Sequence, residues 1–126
     1  MNEEDYNTTF EKSVLSSFIF EPTLFENYRD RLDIESFFIQ AHKDIFKTLS
    51  ALRDKDLPID EEFLAKSLKA EQKFNENIML DILSANPVNN IESYIIELQN
   101  KHKSRSISAL TLELQHKKID ITIFKI

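Results

Sequence analysis

Apolar residues recur at helical spacing along most of the chain. Phe10, Val14, Leu15 and Phe18 fall at i, i+4, i+5 and i+8, a stripe that predicts a first helix capped by Thr8 or Thr9 and ending before Pro22. Pro22 suits the first turn of a short second helix, where its missing N–H costs nothing, and Leu24, Phe25 and Tyr28 supply the inner face. Asp33 is placed to cap a single turn holding Ile34 and Phe37. A longer helix follows over 40–53 with Ile45, Phe46, Leu49 and Leu52 as its stripe, and the polar segment 53–58 breaks it at Pro58. Asp60 starts the next helix, where Glu61 and Glu62 favour the positive end of the dipole and Phe63, Leu64 and Leu68 turn inward. Asn75 or Asn77 caps a further helix with Ile78, Met79, Ile82 and Leu83, which ends at Asn86 because the residue before Pro87 avoids helical geometry.

The last helix begins at Asn89 or Asn90 and is expected to run to about Lys117. Its pattern changes midway. Ile91, Tyr94, Ile95 and Leu98 share one face, while Ile107, Leu110 and Leu114 share another, turned by roughly 145° at 100° per residue. A straight helix cannot bury both against one body. Either the first half packs on the body and the second half meets a different partner, or the helix breaks near Ser104, Ser106 and Ser108 and folds back. Residues 119–126 alternate apolar and polar in the manner of a strand, which a helical domain would leave unpaired; they are read as the beginning of a further segment. The fold expected is therefore all-α: a bundle of about five to six helices over 1–88, then a long C-terminal helix and linker over 89–126. The expected core comprises Val14, Leu15, Phe18, Phe37, Ile45, Phe46, Leu49, Leu64, Leu68, Ile82, Tyr94 and Leu98.

Composition narrows the chemistry. The 126 residues fit one domain and include no glycine, where about nine would be ordinary. That absence excludes the P-loop, the dinucleotide fingerprint and the nucleophile elbow, all of which need glycine at fixed positions. Cysteine is absent too, which removes thiol catalysis, disulfides and Cys-ligated zinc. No apolar run approaches 18 residues and no signal peptide is evident, so a cytoplasmic protein is expected, with no membrane partner. The net charge of −6 is uneven: residues 1–98 carry −10, whereas 99–118 carry +4 from Lys101, Lys103, Arg105, Lys117 and Lys118 against Glu113. An acidic body with a basic C-terminal helix suggests a partner surface.

Candidate chemistry is sparse. The acidic clusters Asp54/Asp56, Asp60/Glu61/Glu62 and Asp33/Glu35 all lie at helix starts or in turns, where capping accounts for them. No glutamate stands three residues before His42, His102 or His116, so the pattern of a bundle di-metal site is missing. His42 reads as a buried hydrogen-bonding residue or a surface residue at a helix start. The basic stretch from Lys101 to Arg105 could follow phosphates, but the chain is acidic overall and has no aromatic platform there, so little direct nucleic-acid binding is expected.

Taken in order, several segments resemble the N-terminal domain of DnaB-type replicative DNA helicases. These are the run from Glu11 through Val14 and Leu15 to Phe18; Phe37 and Phe38 followed by His42, Ile45 and Phe46; and Leu57 to Asp60 followed by Leu64 and Leu68. Asn90 with Tyr94, and Lys101, Arg105 and Ile107 on the last helix, complete the series. The resemblance spans about 10–110, and no residue in it is catalytic. It departs from the family at Ser16, where glycine is common, and around 73–78, where glycines are frequent. The resemblance implies a non-catalytic collar that assembles from paired subunits above a hexameric motor and offers a docking surface to primase. ATP and Mg would bind only in that motor, which would carry the helicase activity; no cofactor is expected in this chain. It also implies that the long helix is half of a hairpin whose second helix, beyond this chain, would lie on the Ile107, Leu110 and Leu114 face. Lys101, Arg105, Ile107, Leu110 and Leu114 are then the candidate residues for subunit pairing or primase. The rival readings are a stand-alone helical adaptor or helicase-mimicking regulator, and a small enzyme with a carboxylate site.

Overall fold

The computed structural model describes the backbone of residues 3–125 and the side chains of residues 9–116. Six α-helices run in chain order: α1 (Glu3–Phe20), α2 (Pro22–Tyr28), α3 (Gln40–Asp54), α4 (Glu61–Ala70), α5 (Glu76–Ser84) and α6 (Ile91–Lys125), with two 3-10 turns, Arg29–Arg31 and Ile34–Ser36, between α2 and α3. The described residues include no strand, and the fold is all-α.

Local chemistry sets most boundaries. Pro22 occupies the first turn of α2. The Asp33 carboxylate accepts the Ser36 N–H while the Ser36 hydroxyl accepts the Asp33 N–H, a reciprocal cap on the second 3-10 turn. Asp60 accepts the Phe63 N–H at 2.9 Å to open α4, and Asn75 accepts the Ile78 N–H at 3.1 Å to open α5. Two helices end without glycine. Asp56 (φ 57°) follows α3 and Gln72 (φ 60°) follows α4, both left-handed. In each case the next residue's N–H reaches back five positions: Leu57 to the Leu52 carbonyl at 2.9 Å, and Lys73 to the Leu68 carbonyl at 2.8 Å.

Helix α1 is the centre of the core. Val14, Leu15 and Phe18 have no exposed surface, and α2, α3, α5 and α6 all pack against this helix. Phe18 meets Phe25 edge-on at 5.3 Å, Phe25 meets Phe46 at 5.9 Å, and Phe46 meets Phe37 at 5.2 Å. Each of these rings contributes about 1.5–3 kcal/mol by leaving water. Ile45, Leu49, Leu64, Leu68, Ile82 and Leu98 are buried as well; Tyr94 is half-buried and packs on the margin, its ring edge-on to Phe10 at 5.2 Å.

Three boundaries differ from the sequence reading. Helix α1 starts at Glu3 and not at Thr8 or Thr9. Helix α6 does not break at Ser104, Ser106 or Ser108, and it does not stop at Lys117 but runs on to Lys125. The alternating tail is helical as far as Lys125, while Ile126 lies outside the described residues. A lone strand would leave its backbone groups unpaired, whereas extending a helix pairs each one as it is added.

Candidate functional site

The first half of α6 is built into the head formed with α1–α5. Ile91, Ile95 and Leu98 are buried. Three polar contacts fasten the helix to the 3-10 turns. The Arg31 Nη1 donates to both oxygens of Glu92 at 2.8 and 2.7 Å. The Gln99 amide donates to the Arg31 carbonyl at 3.1 Å. The Arg105 Nη2 donates to the Glu35 carbonyl at 3.1 Å and the Ser36 carbonyl at 3.4 Å, with its guanidinium 5.5 Å above the Phe38 ring.

Beyond Arg105 the helix leaves the head, and every described side chain from Ser106 to His116 is exposed. Ile107, Leu110 and Leu114 are 55%, 54% and 56% exposed, and at 100° per residue they line the side opposite Leu98 and Arg105. Their spacing of three and then four residues is the pattern of a helix–helix seam. Leu112, 59% exposed, extends the head-facing side past the head's edge.

The other two candidates are placed differently. Lys101 is half-buried. Arg105 is half-buried and turned toward the head, against two carbonyls and a ring. The basic stretch is thus not a uniform solvent-facing strip.

The acidic clusters have structural partners. Asp33 and Asp60 are caps, Asp54 takes Arg29 at 3.1 Å, and Asp56 takes Arg53 at 3.0 Å. Arg53 also pairs with Glu26. The Lys43 ammonium, 2.8 Å from Glu35, holds that carboxyl below its ordinary range through a hydrogen bond and its charge. Arg31 does the same to Glu92, and Glu92 in turn raises the Arg31 guanidinium. No cluster of three or more His, Asp or Glu suited to a metal occurs among the described residues.

The polar network that residue patterns alone did not assemble surrounds Glu11. Its carboxylate, 1% exposed, accepts the Phe38 N–H at 2.7 Å, the Ile39 N–H at 3.3 Å and a hydrogen bond from His42 Nδ1 at 2.8 Å. Ile39 is the residue before α3, so a side chain on α1 caps the start of α3. A signal was present: Glu11 stands four and seven residues before Leu15 and Phe18, a charge on the apolar face.

The description "DnaB-like helicase N terminal domain" belongs to a family model that matches residues 3–100. The replicative DNA helicases DnaB of two Helicobacter pylori strains, J99 and 26695, are each 24% identical to this chain over 110 residues. Those matches cover 87% of this chain but only 23% and 22% of the two relatives. Among solved structures, the N-terminal domain of DnaB helicase from Helicobacter pylori, described together with its interactions with primase, superposes with a TM-score of 0.85 at 23% identity. It covers 93% of this chain and 98% of that one, and shows the shared fold. No helix among the described residues is long and apolar enough to cross a membrane. With the family model matching most of its length, the chain belongs to the DnaB-like helicase N-terminal domain family.

Proposed function

We propose that this chain is the non-catalytic collar module of a replicative DNA helicase, which helps set the geometry of a hexameric ring built from paired subunits and docks primase. The observation that carries the reading is the apolar seam of Ile107, Leu110 and Leu114, held clear of the head on α6. Each leucine or isoleucine would gain about 1.5–3 kcal/mol on full burial, so the seam favours a helical partner. The relatives are replicative helicases, and the structural neighbour is described with primase, which supports these two partners.

ATP and Mg would belong to a separate motor domain that performs unwinding, with no cofactor in this module. Direct nucleic-acid binding would be slight, because the head carries −10 over residues 1–98 and repels phosphate. The protein would act in the cytoplasm, where replication proceeds.

The test is Leu110→Asp in the full-length protein, followed by sedimentation analysis and primase titration. The reading expects weaker subunit pairing or at least a tenfold loss of primase affinity, about 1.4 kcal/mol, with the head's thermal transition unchanged. Unaltered assembly together with unaltered primase affinity would reject it.

A further inference from the structure

We propose that Arg105 is a clasp that fixes the direction in which the arm of α6 leaves the head, and that the helix bends at Ser104, Ser106 and Ser108 when the clasp opens. The apolar contacts of α6 with the head, from Ile91 to Leu98, extend over about 10 Å of helix. Arg105 adds about 10 Å more. A rod held over twice the base is held to about half the angular error, and no described side chain beyond Arg105 is buried. The aim of the arm therefore depends on this one residue more than on any other along the helix.

The clasp is built to release. Arg105 grips main-chain carbonyls, those of Glu35 and Ser36 at the end of the 3-10 turn, and not a carboxylate. The nearby Glu35 carboxylate is drawn away by Lys43 at 2.8 Å. The Arg105 Nη1 is buried without a hydrogen-bond partner. Opening returns that nitrogen to water, which lowers the cost of release relative to a fully satisfied contact. The flat guanidinium over Phe38 supplies the rest of the grip. The exposed serines 104, 106 and 108 flank the clasp. Serine hydroxyls compete for helix carbonyls and are a recognised cause of local bending.

The chain has no cysteine, so two introduced cysteines give unambiguous labels. One spin-label pair, at Lys66→Cys and Glu113→Cys, reports head to arm; a second, at Lys66→Cys and Asp30→Cys, reports the head alone; all three positions named lie on exposed residues. Pulsed dipolar distances are recorded with labelled chains diluted into unlabelled ones. A narrow head–arm distribution is expected for the parent chain, and Arg105→Ala is expected to at least double its width while the head pair stays unchanged. Alanine is the better helix former, so broadening cannot come from lost propensity. Arg105→Lys is expected to restore little, since an ammonium neither forks nor stacks flat. Phe38→Leu, which leaves the carbonyl contacts in place, is expected to broaden the arm by less and serves if Arg105→Ala does not fold. An unchanged head–arm width in both variants, a broad distribution already in the parent, or equal broadening of the head pair would overturn the proposal.

Discussion

The Glu11 carboxylate and the His42 ring, 31 residues apart in the chain and each 1% exposed, meet at 2.8 Å where α1 passes the start of α3. Two main-chain N–H groups, from Phe38 and Ile39, share the same carboxylate. Removing it strands three donors at once, the buried His42 ring and two partly buried N–H groups. Glu11→Ala is expected to cost about 3–5 kcal/mol, the range for leaving one side of a buried polar pair unmatched. Glu11→Gln, which keeps one acceptor oxygen, is expected to cost less. Urea unfolding measures both, and a loss below about 1 kcal/mol for the alanine variant would mean that water takes over the carboxylate's role.

Ser16 has no exposed surface, and its hydroxyl donates to the Ala85 carbonyl at 2.6 Å. Its neighbour Ser17 accepts the Val88 N–H at 3.0 Å, so adjacent serines on α1 pin the loop between α5 and α6. Ser16→Ala is expected to lose about 1 kcal/mol for the missing hydrogen bond. Ser16→Val adds volume in a filled site and is expected to lose a further 1–3 kcal/mol or so. Equal stability of the two variants in thermal unfolding would show that the site has room to spare.

Gln72 holds φ at 60° at the end of α4, a region where a side chain costs about 1–2 kcal/mol relative to glycine. Gln72→Gly is expected to stabilise the chain by about 1 kcal/mol. Asp56→Gly, at the matching position after α3, is expected to gain less because it also loses the contact with Arg53 at 3.0 Å. Chemical denaturation of the two variants side by side decides the order.

Glu35 and Glu92 are both held below the ordinary value of 4.5, by Lys43 and Arg31 respectively. A depressed carboxyl contributes stability that is complete above its unfolded value and disappears as pH falls through its folded one. Stability is therefore expected to decline as pH drops below 4.5. Arg31→Met is expected to flatten that decline by freeing Glu92. Urea midpoints from neutral pH to about pH 3 test this. Both pairs are exposed, so added salt should shrink the difference, and a salt-independent slope would point to buried groups instead.

Short-range chemistry made much of the head legible in the sequence. Pro22, Asp33, Asp60 and Asn75 act on residues within one turn of themselves, so their roles follow from spacing. The two faces of α6 were also legible, because a 3.6-residue period fixes which side chains share a side. Contacts across the fold were not. Arg31 and Glu92 lie 61 residues apart, and Arg105 and Glu35 lie 70 apart; nothing local tells either pair where the helices cross. The direction of Arg105 was lost for this reason, since a basic residue on a solvated helix looks the same until its neighbour is known. Gln72 was hidden differently: its left-handed turn is normally signalled by glycine, and this chain has none. The tail beyond Lys118 misled because a run of alternating isoleucines suits a strand only where an edge exists to receive it.

The 35 residues of α6 form a rod about 52 Å long that is continuous from the head to the far end of its apolar seam. That continuity makes the helix a ruler. Sliding a partner by one seven-residue repeat moves it by about 10 Å along the rod. If a partner seats on the seam, the register of a few side chains is therefore converted directly into its distance from the head, with no flexible joint beyond the serines to absorb an error.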